Sequence, residues 1–168
     1  MSSLNTKQLK DYEVQGYVAP VDILTLKEVK KIKEEIEYIE KKWPDELIGL
    51  GRNNVHYISP VFDQVVHNSK ILDAAESIIG KDILVGGTTL FIKDPDKKGF
   101  VSWHQDLTYW GFSHDDQVSV WLALSPANEL SGAMQMIPES HTFGMIEHNT
   151  TKEKNNVAKI KKITTKME

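Results

Sequence analysis

A chain of 168 residues with net charge −4, 40% hydrophobic and 26% charged residues has the make-up of one globular domain burying roughly 70% of its unfolded surface. It contains no cysteine. That excludes disulfides, thiolate metal sites and cysteine nucleophiles, so any metal must be held by His, Asp or Glu. No apolar run nears the ~20 residues of a membrane span, and residues 1–10 lack the apolar stretch of a signal peptide. A cytoplasmic protein with no membrane partner is expected.

In chain order, Tyr17 to Val21 reads as a strand or an extended lead-in. Thr25-Leu26-Lys27-Glu28 is a capping box. Leu26, Val29, Ile32, Ile36 and Ile39 then recur at helical spacing, giving an amphipathic helix that ends near Trp43-Pro44. Residues 49–54 read as a loop. Ser59-Pro60 is a cap followed by a first-turn proline, opening a helix through Val66. A further helix begins at Asn68 or Ser69 and is stopped by Gly80.

Past Gly80 the period changes. Residues 82–93 are rich in β-branched side chains, with Gly86-Gly87 as a possible bulge. Residues 94–99 read as a turn, and 100–106 resume as a strand. Residues 117–124 alternate, with Val118, Val120, Leu122 and Leu124 on one face and Ser119, Trp121 and Ala123 on the other. Residues 133–137 form a short strand closed by Pro138. Helices first and strands second predict an α+β layout, mainly β in its second half, with mostly antiparallel strands. It is divided as 1–80 helical, 81–140 core strands and 141–168 a polar, basic tail of one domain. The last eighteen residues carry six lysines against two glutamates. With no arginine or aromatic to clasp phosphate or stack on bases, they read as a solvated tail, and no nucleic-acid partner is expected.

The chemistry-bearing feature is Ser102-Trp103-His104-Gln105-Asp106-Leu107-Thr108-Tyr109-Trp110. On a strand, His104 and Asp106 would share a face. One imidazole and one carboxylate are two-thirds of the 2-His-1-carboxylate triad that holds non-haem Fe(II) and leaves positions open. A bare His-x-Asp arises by chance about 0.4 times in a chain of this composition, so alone it decides nothing. Its aromatic neighbours Trp103, Tyr109, Trp110 and Phe112 suit either pocket walls or a plain core. Among the remaining histidines, His67 reads as a helix C-terminal partner and His114 with Asp115-Asp116 as a polar turn. His141 reads as a loop-stabilising group. His148 reads as a surface or loop group, though it is the least implausible third ligand within the chain.

Four ordered blocks resemble the phytanoyl-CoA dioxygenase family of Fe(II)/2-oxoglutarate oxygenases. They are Leu90-Phe91-Ile92-Lys93-Asp94-Pro95, the block 103–110 around the His-x-Asp pair, Val118-Ser119-Val120-Trp121-Leu122-Ala123-Leu124, and Gly132-Ala133-Met134-Gln135-Met136-Ile137-Pro138-Glu139-Ser140-His141. In the last block Glu139 stands where the family's Pro-Gly-Ser-His turn has glycine. Gly16-Tyr17 and the first amphipathic helix fit more loosely.

The resemblance implies a double-stranded β-helix, or jelly roll, with N-terminal helices packed outside. It implies His104 and Asp106 as iron ligands, and Trp121 and Thr89 beside the 2-oxoglutarate co-substrate, with Arg52 or His56 near the pocket mouth. It also implies use of Fe(II), 2-oxoglutarate and O2 to hydroxylate a small organic molecule. Related halogenases carry a small residue at the position of Asp106, so an intact carboxylate points to hydroxylation. The family pattern goes on to a second iron-binding histidine and an arginine for 2-oxoglutarate. After His148 there is no histidine, and after Arg52 no arginine. The jelly roll is therefore expected to be partial and the chain truncated, split or frameshifted. A non-catalytic remnant or assembly partner of the same fold is the rival reading, and a zinc-binding cupin-like hydrolase a third. Substrate and oligomeric state are not legible.

Overall fold

A computed structural model of the chain describes residues 4–47, 52–93, 100–149 and 162–163. The loop at 49–51, the turn at 94–99 and most of the basic tail lie outside the described residues.

Helix α1 spans Thr6–Gln15. Asn5 and Gln8 form a reciprocal capping box, and Gly16 closes the helix in the left-handed conformation. Asn-x-x-Gln and the following glycine are the sequence signal for a helix that the apolar pattern of residues 6–15 does not announce.

Helix α2, Leu26–Lys42, begins where the Thr25–Glu28 capping box predicts. Thr25 N–H donates to Glu28 Oε2 at 2.7 Å and Glu28 N–H to Thr25 Oγ1 at 3.3 Å. The Thr25 donors hold the Glu28 carboxyl below its usual range. Ile32 and Ile39, two turns apart, are buried. They join Leu47, Val55 and Phe62 in a cluster flanked by Leu24, Ile36, Val61, Val65, Leu90 and Leu124. Lys33, Glu34 and Glu37 between them face water.

Helix α3, Pro60–Val66, is capped by Ser59 with proline in its first turn. Ser59 Oγ donates to Glu35 Oε1 at 2.6 Å, which ties the start of α3 to the flank of α2 while Phe62 enters the core. Helix α4, Ser69–Ile79, is capped by Asn68 and stopped at Gly80. Lys70 Nζ reaches back to the Ile23 carbonyl at 3.0 Å.

Beyond Gly80 the picture changes. The expected strands over 82–93, 100–106, 117–124 and 133–137 do not form ladders among the described residues. Two short strands are assigned, β1 His148–Asn149 and β2 Lys162–Ile163. They pair antiparallel, with His148 opposite Ile163. Outside these strands a bridge joins Asn53 to Thr89, flanked by Asn54 N–H to Thr88 O at 2.7 Å and Leu90 N–H to Arg52 O at 2.9 Å. A partial double-stranded β-helix is thus not drawn by this backbone. The physical reason is that a strand is defined by its neighbour. These segments carry strand-like sequence, but few backbone partners are within reach. Their large side chains stay in solvent: Leu84 is 96% exposed, and Phe91, Val120, Met134 and Ile137 are exposed as well. No described helix is long and apolar enough to cross a membrane.

The turn around Glu139 docks on the C-terminus of α1. Glu139 N–H donates to Gln15 O at 2.9 Å and His141 Nε2 to Glu13 O at 3.0 Å. These bonds satisfy carbonyls that a helix end leaves unpaired. Gly16 has φ +80, and a Cβ there would collide with the His141 ring at Nδ1. Both facts require glycine.

Candidate metal centre

His104 and Asp106 do converge, but not as strand neighbours. Asp106 has φ −57 and ψ −44 and opens the single helical turn α5, Leu107–Trp110. The pair therefore sits on a turn from extended to helical backbone, which corrects the strand predicted to run through Asp106.

His104 Nε2 lies 3.0 Å from Asp106 Oδ1. His104 Nδ1 lies 2.7 Å from the Ser102 carbonyl oxygen. That carbonyl can only accept, so Nδ1 carries the ring proton and a neutral ring presents its lone pair at Nε2. Asp106 also presents a lone pair. Two acceptors at 3.0 Å need a positive charge between them: either a second ring proton or a cation. Without a cation the Asp106 hydrogen bond holds His104 above its ordinary pKa against the opposing effect of burial, with help from Ser102. Reciprocally, His104 holds Asp106 below the usual carboxylate range, assisted by Ser119 and opposed by burial.

The spacing also fits a metal. Neighbouring donors of an octahedral cation stand about 3.0 Å apart when each lies about 2.1 Å from it. Each donor is anchored on its far side. The imidazole is fixed by Ser102, and Asp106 Oδ2 accepts from Ser119 Oγ at 2.8 Å. Such outer partners set the tautomer and aim of metal-binding side chains. With the Asp106 side chain 46% exposed, the pair is open to incoming ligands. The donor set of imidazole and carboxylate suits Fe(II), Co(II) or Zn(II). Among the described residues, no group of three or more His, Asp or Glu is placed to hold a metal.

The aromatic neighbours are not core. Trp103, Tyr109, Trp110 and Phe112 are all partly exposed. Tyr109 stands edge-on between two imidazoles, 6.0 Å from the His104 ring and 5.7 Å from that of His148.

His148 is neither a surface group nor placed as a ligand. It is 7% exposed, its Nδ1 donates to Ile146 O at 2.7 Å, and its Nε2 accepts the Gln105 N–H at 2.9 Å. Nothing in the local sequence Glu147-His148-Asn149 signals this, because the partner is 43 residues away. His141, by contrast, is the loop-stabilising group its position suggests.

Trp121 packs against Phe91 at 5.6 Å between ring centroids and remains 45% exposed. Thr89 Oγ1 donates to Asn53 Oδ1 at 2.9 Å. Arg52 is turned to the backbone, 3.3 Å from both Leu47 O and Ile92 O. His56 is buried, with Nδ1 2.9 Å from Thr88 Oγ1. The structure thus brings together His104, Asp106 and Ser119. It gives Trp121, Thr89, Arg52 and His56 other partners, with no hydrogen bond or ring contact to the pair among the described residues.

An exposed imidazole–carboxylate pair, aimed by outer hydrogen bonds and set among aromatics, is the kind of site non-haem metalloenzymes use. The family model for phytanoyl-CoA dioxygenase (PhyH) matches residues 12–167, and the chain belongs to that family. It is 26% identical over 159 residues to a probable alpha-ketoglutarate-dependent hypophosphite dioxygenase of Stutzerimonas stutzeri, covering 84% of this chain and 55% of that protein. It is 23% identical over 154 residues to an ectoine dioxygenase of Bordetella bronchiseptica, covering 83% and 50%. It is 23% identical over 147 residues to an L-proline trans-4-hydroxylase of Streptomyces griseoviridis, covering 81% and 55%. The chain spans about half the length of these curated relatives. No solved structure matches it.

Proposed function

We propose that this chain carries the first part of an Fe(II)/2-oxoglutarate-dependent dioxygenase site that hydroxylates a small organic molecule. The reading rests on one observation above all: His104 Nε2 and Asp106 Oδ1 stand 3.0 Å apart, a gap that takes a ring proton or a cation once the Ser102 carbonyl has taken Nδ1–H. Family membership adds the chemistry. Bound Fe(II) would couple oxidative decarboxylation of 2-oxoglutarate by O2 to substrate hydroxylation.

This chain's own residues would do the holding. Ser102 would fix the imidazole tautomer, Ser119 would aim the Asp106 carboxylate through its bond to Oδ2, and His104 and Asp106 would bind the metal. Trp121 is assigned to the co-substrate pocket by its position in a matching block, and Thr89 by its place just before another. The same reading takes residues 1–168 as one domain. Its fold would be a partial jelly roll with helices outside, and the exposed segments at 82–93, 117–124 and 133–137 would find strand partners in the complete assembly.

Anaerobic titration with Fe(II) and 2-oxoglutarate tests this. A visible charge-transfer band that is lost in His104→Ala supports it, and no band in any preparation containing the chain counts against it. A non-catalytic or assembly role is the second reading. The observation favouring it is that only two metal donors converge among the described residues. Uncoupled succinate production by the purified chain would rule it out.

A further inference from the structure

The residue between the two donors makes three hydrogen bonds of its own. Gln105 N–H donates to His148 Nε2 at 2.9 Å. The Gln105 carboxamide donates through Nε2 to Gly144 O at 2.7 Å and accepts the Ile146 N–H on Oε1 at 2.9 Å. A side-chain amide pairing with a carbonyl and an N–H two residues apart imitates a neighbouring strand. His148 is itself fixed by its bond to Ile146 O and by membership of β1. It is also the one buried residue among the described residues beyond Phe62. A buried imidazole with both nitrogens bonded has no lone pair left for a metal.

We propose that Gln105 and His148 form a positioning clamp for the His104–Asp106 pair, an inference that rests on reading that pair as metal donors. Three hydrogen bonds fix the backbone and side chain of Gln105 against residues 144–148. The residues on either side are thereby held at the turn where extended backbone becomes helical, so both donors face one point. His148 acts through Gln105 and does not touch the metal.

The clamp is tested in two arms. In the metal-free protein, the Gln105 amide is read by NMR hydrogen exchange. With metal, Co(II) titration is followed by visible absorption. In His148→Leu the Gln105 amide should exchange at least about 10-fold faster, and Co(II) should bind about 10- to 100-fold more weakly, the usual effect of losing an outer partner. His148→Gln places a carbonyl oxygen near the position of Nε2 and should restore both readouts to within a few-fold of wild type. Gln105→Ala, read the same way, serves if His148→Leu does not fold. Wild-type exchange and affinity in His148→Leu and in Gln105→Ala would overturn the clamp. So would loss of Co(II) in His148→Gln as complete as in His104→Ala, since His148 would then be a ligand. Absence of Co(II) binding by the wild-type chain would overturn the donor assignment of the pair, and the exchange arm would still decide the clamp.

Discussion

Residues 4–79 and residues 81–149 are held together by different forces. The first region encloses an apolar cluster from three segments: Ile32 and Ile39 on α2, Leu47 and Val55 in the connection, and Phe62 on α3. Every buried apolar side chain among the described residues lies in this region. The second region contains the His104–Asp106 pair and most of the exposed aromatics. It is organised by hydrogen bonds: His104 to Ser102, Asp106 to Ser119, Gln105 to residues 144–148, and the Glu139 turn to α1. Apolar burial is non-directional and gives stability, whereas hydrogen bonds are directional and set the aim of a side chain. The region that holds the proposed donors uses the second kind.

That contrast can be broken by substitution. Ile39→Ala should cost roughly 2–5 kcal/mol in denaturant unfolding, because it empties a site in a closed cluster. Trp121→Ala, a larger deletion in the second region, should cost less than about 1 kcal/mol. A reversal of that order would show that the second region has a core of its own. Gly16→Ala should destabilise by more than about 1 kcal/mol, since it strains a left-handed residue and drives a methyl into His141. If the pairing of Gly16 with His141 is the cause, Gly16→Ala in a His141→Ala background should lose part of that cost. Thr25→Ala should cost about 1 kcal/mol through the lost cap. Glu139→Gly should be slightly stabilising: Glu139 has φ 64, where glycine carries no Cβ penalty.

A pH experiment sharpens the comparison further. His104 is raised and Asp106 lowered by each other. The histidine contribution to stability is full below its unfolded pKa of about 6.5 and is lost as pH rises through its higher folded value. The aspartate contribution is present above about 3.9 and is lost as pH falls through its lower folded value. Their joint contribution is therefore complete between about pH 4 and 6.5. Asp106→Asn should flatten the decline in stability just above that window while leaving the cooperativity of the helical region unchanged. Metal binding should run the opposite way, weakening as pH falls through the raised His104 value, because the cation competes with the ring proton.

Legibility in the sequence followed the same divide. The Thr25–Glu28 box, Ser59-Pro60 and the Gly80 stop are local signals acting within a few residues, and each marks an observed helix end. The His104–Asp106 pair was also legible, as a motif, although its backbone turns helical at Asp106 where a strand is expected. The strands expected over residues 82–137 rest on composition alone, since pairing depends on neighbours that their own sequence does not specify. His148 could not be read at all. Its partner is the Gln105 amide 43 residues away, and no spacing rule connects the two. Glu139 shows the converse. The family's glycine at that turn becomes intelligible once the residue is seen at positive φ.

The most direct test of the account is side-chain nitrogen NMR of the histidines during titration with Zn(II), a diamagnetic stand-in for Fe(II). The His104 Nε2 resonance should move and saturate at one equivalent, with the His148 nitrogens unchanged and the response abolished in Asp106→Ala. Saturating movement of His148, or no movement at His104, would contradict it.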